Sequence, residues 1–120
     1  LWGNLSFNPV SVLTHATLDV LATDADSRAA IRPMMAESRE VARKLGVEIP
    51  MEIDARIAMA AKVGAHKTSM LQDLERGQPL EIEALLGAVG EMGRLAGVET
   101  PICDLILGLV RQRARTAAAR

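Results

Sequence analysis

The segment Glu81-Ile82-Glu83-Ala84-Leu85-Leu86-Gly87-Ala88-Val89-Gly90-Glu91-Met92-Gly93-Arg94-Leu95 decides the fold. Ile82, Leu85, Leu86, Val89 and Met92 recur at three- and four-residue spacing, which places them on one stripe of a helix. Gly97 closes the segment and Pro101 opens another periodic run, with Ile102, Leu105, Ile106, Leu109 and Val110 inward. The basic, Ala-rich tail from Arg111 to Arg120 is expected to fray.

Upstream the same periodicity holds. Leu5 to Leu21 reads as one helix, with a kink or late start expected at Pro9. Asp24 and Asp26 offer N-caps for a helix reaching Leu45, ended by Gly46 and Pro50. Further helices are predicted from about Glu52 to Val63 and from about Ser69 to Glu75. No segment alternates with period two. The expectation is an all-α bundle of five to six helices forming one domain over residues 1–120.

Composition narrows the function. The apolar half of the chain is Ala, Leu, Val, Ile and Met, with no Tyr, one Trp and one Phe. A net charge of −1 and so few aromatic residues leave neither the field nor the stacking surface for nucleic acid, and no charge to favour an anionic membrane. No apolar run reaches membrane-spanning length. One cysteine, Cys103, forms no internal disulfide, so a cytoplasmic location is expected. One Cys and two His are too few for a Cys/His metal cage, and no metal is expected.

Two places offer chemistry. Asn4, Asn8, Ser11 and His15 share one face of the first helix. Two Asn side chains one turn apart can grip a small polar acid; equally, they can form a solvated face. Lys67-Thr68-Ser69-Met70-Leu71-Gln72-Asp73 is followed by Glu81, twelve residues after Ser69. Ser69 with Gln72 fits a capping box, worth about 1 kcal/mol without any ligand. Ser69 can also face a pocket. Asp73 reads as structural support, bonding loop N–H groups or pairing with Lys67. Glu81 complements a helix dipole or accepts a hydroxyl hydrogen bond. Gly87, Gly90 and Gly93 read as sites of close helix packing, since no strand precedes them.

Thr68-Ser69-Met70-Leu71-Gln72-Asp73, Glu81-Ile82, Gly97-Val98-Glu99-Thr100-Pro101 and Asn4-x-x-x-Asn8-Pro9 together resemble the C-terminal domain of ketopantoate reductases, over essentially the whole chain. The resemblance implies a helical cap domain of the 6-phosphogluconate dehydrogenase C-terminal type, working with an N-terminal Rossmann domain that binds NADPH. It implies reduction of 2-dehydropantoate to (R)-pantoate, on the route to pantothenate and coenzyme A. Asn4, Asn8 and Ser69 match substrate-binding positions, and Glu81 matches an acidic residue near cofactor and substrate. The family's general-acid Lys would immediately precede Leu1. Leu18 stands near a further substrate-contacting Asn of some members, and His15 stands where Gly is common.

The Rossmann fingerprint and the Lys are not among these residues, so the fragment alone is expected to be inactive. The expected partners are a small 2-oxoacid and the chain's own Rossmann domain. A second copy, as a homodimer, would suit the apolar bundle. The competing readings are a helical dimerisation module without a working site, and the cap of a related opine or hydroxyacid dehydrogenase.

Overall fold

The computed structural model describes residues 2–118. These form seven α-helices and no strand: α1 (Asn4–Thr14), α2 (Leu18–Thr23), α3 (Ala25–Lys44), α4 (Ile53–Val63), α5 (Ser69–Glu75), α6 (Ala88–Ala96) and α7 (Pro101–Ala118). A π-helical turn, Glu83–Gly87, runs directly into α6. The architecture is the all-α bundle expected. One helix more than expected arises because the stretch Leu5 to Leu21 is two helices, not one.

The break falls at His15. This residue closes α1 in the left-handed conformation (φ 60°), and its N–H donates to the Ser11 carbonyl at 2.7 Å. A non-glycine residue adopts that conformation only at a steric cost. The chain restarts at Leu18 with its first free N–H groups already engaged: Leu18 donates to the His66 carbonyl and Asp19 to the Gly64 carbonyl. These bonds tie α2 to the segment that follows α4. Pro9 delays nothing, for α1 begins at Asn4 and continues through it, with the Pro9 ring buried.

Helix α1 lies at the centre of the fold. Seven consecutive residues, Ser6 to Val12, are buried. Helices α2, α3, α5 and α7 and the π turn all pack around it. A helix enclosed on every side needs no amphipathic stripe. Helix α3 is the second organiser, with Ile31, Met34, Met35 and Val41 in the core. The Trp2 indole N–H reaches the Met35 carbonyl and the Ser38 hydroxyl, each at 3.2 Å. The Glu37 carboxylate accepts the N–H groups of Ile102 and Cys103, at 3.0 and 2.9 Å. The first turn of α7 is thus capped by a side chain from α3.

The π turn changes the predicted stripe. A π-helical turn holds more residues than an α turn, so every side chain beyond it rotates. The buried positions become Ile82, Leu86, Val89 and Gly93, while Leu85 is half-buried and Met92 is exposed. On α7 the inward face is Cys103, Ile106, Leu107 and Val110, whereas Leu105 and Leu109 face solvent. The tail expected to fray is helical to Ala118, with Arg113 Nη2 donating to His15 Nε2 at 2.8 Å. Ala119 and Arg120 lie outside the described residues.

The glycines of α6 and α7 separate two roles. A Cβ on Gly93 would lie 2.8 Å from the Val98 carbonyl oxygen and 3.4 Å from Val41 on α3, whereas a Cβ on Gly108 would meet nothing within 4 Å. Gly93→Ala should therefore destabilise the domain by about 1–3 kcal/mol through overpacking. Gly108→Ala should stabilise it by about 0.5–1 kcal/mol through helix propensity. Urea unfolding followed by circular dichroism measures both; equal effects of the same sign would contradict the packing described.

Candidate functional site

The polar stripe of α1 is uneven. Asn4 and His15 are exposed at its ends, while Asn8 and Ser11 are 8% and 0% exposed. Among the described residues the Asn8 side-chain amide has no hydrogen-bond partner, although it sits within the most enclosed part of the fold. An amide carries two donors and one acceptor. The amide is not among the enclosed, unpaired polar atoms of the described residues, which are Ser6 Oγ, Arg39 Nε and Arg113 Nε; it therefore reaches the surface and can offer these groups to a polar ligand.

Helix α5 contributes the adjoining wall. Thr68, in extended conformation, is its N-cap, and Thr68 Oγ1 accepts the Leu71 N–H at 3.1 Å. This replaces the capping box expected from Ser69 and Gln72. The helix begins one residue earlier than a Ser69 cap would require, so Ser69 is the first helical residue. Gln72 Nε2 instead turns back to the Lys67 carbonyl at 3.2 Å. Ser69 is exposed and its hydroxyl is left without a protein partner among the described residues.

The two walls are joined beneath their surfaces. Ser11 Oγ is hydrogen-bonded to Thr68 Oγ1 and donates to the Asn8 carbonyl at 2.7 Å, all in the interior. Asn8 and Ser69 therefore stand on elements in direct contact, each next in chain or one helical turn from the joint. Thr68 is the residue that the sequence reading passed over. The signal was present: of two successive hydroxyl residues, the first follows the loop and takes the cap position.

Asp73 is half-buried, and its carbonyl accepts the Gln78 N–H at 2.8 Å. Lys67 pairs with Glu75 rather than Asp73, at 2.8 Å. Glu81 is exposed, immediately before Ile82, which is buried at 5% exposure and anchors the backbone there. Glu81 has no hydrogen bond to Asn4, Asn8 or Ser69. Its neighbour Glu83 is instead engaged by Arg111 through two bonds of 2.7 and 2.6 Å, and this hydrogen bonding holds the Glu83 carboxyl below the usual carboxylate range. Glu81 is therefore the carboxylate at this edge that remains available to a ligand.

Asn8 and Ser69 stand on two helices in direct contact, whereas no side-chain hydrogen bond joins Asn4 or Glu81 to them among the described residues. The larger hollows lie elsewhere, one beside Gly93, Val98, Thr100 and Asp104, another beside Arg28, Arg32 and Asp54. Among the described residues no group of three His, Cys, Asp or Glu side chains could hold a metal ion. No described helix is long and apolar enough to cross a membrane.

The sequence matches the family model described as "Ketopantoate reductase PanE/ApbA C terminal" over residues 1–114, and the chain belongs to that family. It is 54% identical over 114 residues to the 2-dehydropantoate 2-reductase of Mesorhizobium japonicum, an alignment covering 95% of this chain and 35% of that protein. The chain thus spans about a third of the length of that relative. The crystal structure of 2-dehydropantoate 2-reductase from Methylococcus capsulatus superposes with a TM-score of 0.83 at 36% identity, covering 95% of this chain and 40% of that one. D-mandelate dehydrogenase, in a ternary structure with NADH and anilino(oxo)acetate, shares the fold at a TM-score of 0.86 and 22% identity, over 98% of this chain and 66% of that one.

Cys103 plays no part in this wall. It is 1% exposed, its Sγ lies 3.6 Å from the Met34 carbonyl, and burial, reinforced by Glu37, pushes the thiol's pKa well up. Iodoacetamide at pH 8 should leave Cys103 unmodified in the folded protein and modify it fully in 8 M urea, as read by intact mass. Rapid labelling of the native protein would contradict this placement.

Proposed function

We propose that this chain is the substrate-side domain of an NADP-dependent reductase that converts 2-dehydropantoate to (R)-pantoate, feeding pantothenate and coenzyme A synthesis in the cytoplasm. The observation that carries the proposal is the Asn8 amide next to the joint with α5, free of protein hydrogen bonds among the described residues on an otherwise buried residue. Asn4 and Asn8 lie one turn apart on α1 and would clamp the carboxylate and hydroxyl of the substrate. The Ser69 hydroxyl would meet the substrate from α5. Asp73 supports the turn after that helix, where the chain reverses towards Glu81.

A nicotinamide cofactor, when bound, would supply hydride to the ketone carbon. This chain fits a contact with that cofactor rather than its whole binding site, since Glu81 offers one free carboxylate for a hydroxyl and no glycine-rich strand-to-helix turn is present. An N-terminal Rossmann domain would hold the rest. A Lys immediately before Leu1 would stand four residues ahead of Asn4, near the start of the helix that carries Asn8. It would protonate the ketone oxygen as hydride arrives, while Asn4, Asn8 and Ser69 fix the approach. The 120 residues alone should then show no ketopantoate-dependent oxidation of NADPH.

The exposed Leu105 and Leu109 on α7 favour a second reading, a helical module that pairs two copies of the chain. The fold shared with D-mandelate dehydrogenase keeps a related hydroxyacid as an alternative substrate. Alanine substitution in the intact enzyme separates these. Asn8→Ala and Ser69→Ala should each lower kcat/KM for 2-dehydropantoate at least tenfold, about 1.4 kcal/mol of transition-state binding, and Glu81→Ala should do so to a smaller extent. Changes below threefold at all three positions would leave the wall a structural surface. A larger kcat/KM for another 2-oxoacid would reassign the substrate.

A further inference from the structure

We infer that Ser11 and Thr68 are positioning residues, whose buried hydroxyl pair sets the spacing between Asn8 and Ser69. This rests on the substrate wall proposed above and adds to it the device that holds its two halves in register.

The hydrogen bonds have only one fully paired direction. Leu71 N–H donates to Thr68 Oγ1, and Ser11 Oγ–H donates to the Asn8 carbonyl. Each hydroxyl has a single proton. The Thr68 hydroxyl must therefore donate to Ser11 Oγ, completing a chain from the Leu71 N–H through two hydroxyls to the Asn8 carbonyl. Both hydroxyls are buried, Ser11 at 0% and Thr68 at 5% exposure. Each end of the chain lies at a residue of the wall. The acceptor carbonyl belongs to Asn8 itself, and Thr68 is bonded directly to Ser69.

A slide or rotation of α5 against α1 would leave the buried Thr68 hydroxyl proton without its acceptor and Ser11 Oγ without its donor, which is disfavoured. An apolar pair of similar size would pack the same interface without selecting one register. The hydroxyl pair selects one, and the Ser69 side chain inherits it.

The test uses the intact reductase, with steady-state kinetics for both substrates and thermal unfolding of each variant. Ser11→Ala keeps the α5 cap and removes only the joint. It should raise KM for 2-dehydropantoate at least fivefold while KM for NADPH stays within twofold. Thr68→Val should do the same with an added fall in Tm, and Thr68→Ser should restore KM to within twofold of the parent. The Ser11→Ala/Thr68→Val double variant should be no worse in KM than the worse single one, because both remove one interaction.

If both single variants leave KM for 2-dehydropantoate within twofold, whatever happens to Tm, while Asn8→Ala raises it, the joint is a packing contact and the inference fails alone. If Asn8→Ala and Ser69→Ala are silent as well, the wall itself is not a substrate site and the positioning role falls with it.

Discussion

The enclosure of α1 is the constraint on which the rest of the structure depends. Most helices in small domains keep one face in water. This one is buried along two full turns, where an enclosed polar group gains from a partner inside the protein, and Ser6 Oγ is the one side-chain polar atom of its described residues left enclosed without a partner. Ser11 finds Thr68 and the Asn8 carbonyl. The Asn8 amide finds nothing among the described residues. The helix that stabilises the bundle by filling its centre is thus also the one that presents an unsatisfied recognition group, and stability and binding draw on the same two turns.

The surrounding helices make that placement reproducible. Phe7 is fully buried, with the Arg56 guanidinium 5.4 Å from its ring centroid. Trp2 reaches α3 through its indole N–H and carries the Arg39 guanidinium 5.1 Å from its ring centroid. The absence of a Cβ at Gly3 lets Arg56 lie against the chain just before α1, and at Gly93 it lets α6 approach the Val98 carbonyl and α3. None of these contacts touches the candidate site, yet each fixes an end or a side of the helix that bears it.

Much of this was readable from residue spacing. Apolar periodicity and the Asp24 and Gly46 signals located α3, and glycine placement foretold the close packing at Gly93. The Asn4 to His15 face was visible as a face, but its burial gradient was not, because periodicity within one helix does not say how many neighbours surround it. The split at His15 escaped notice since a left-handed His leaves no pattern in composition. The exposure of Met92 escaped it for a different reason: a π turn inserts its extra residue without any change in helical character. The choice of Thr68 over Ser69 as cap depended on where the loop ended, to the residue, and boundaries are the least determinate part of any sequence reading.

The cap that Glu37 places on α7 also bears on how the chain folds. The first turn of that helix obtains its stabilising carboxylate from 65 residues upstream, so it cannot be fully formed by local contacts alone. Loops that long close slowly relative to helix elongation. The first turn of α7 therefore has its full set of hydrogen bonds only where α3 and α7 have met. The two ends of the described chain then become mutually dependent, for Trp2 and Ile102 fasten to the same turn of α3, at Met35 and Ser38 and at Glu37, and loosening either would weaken the seat of the other.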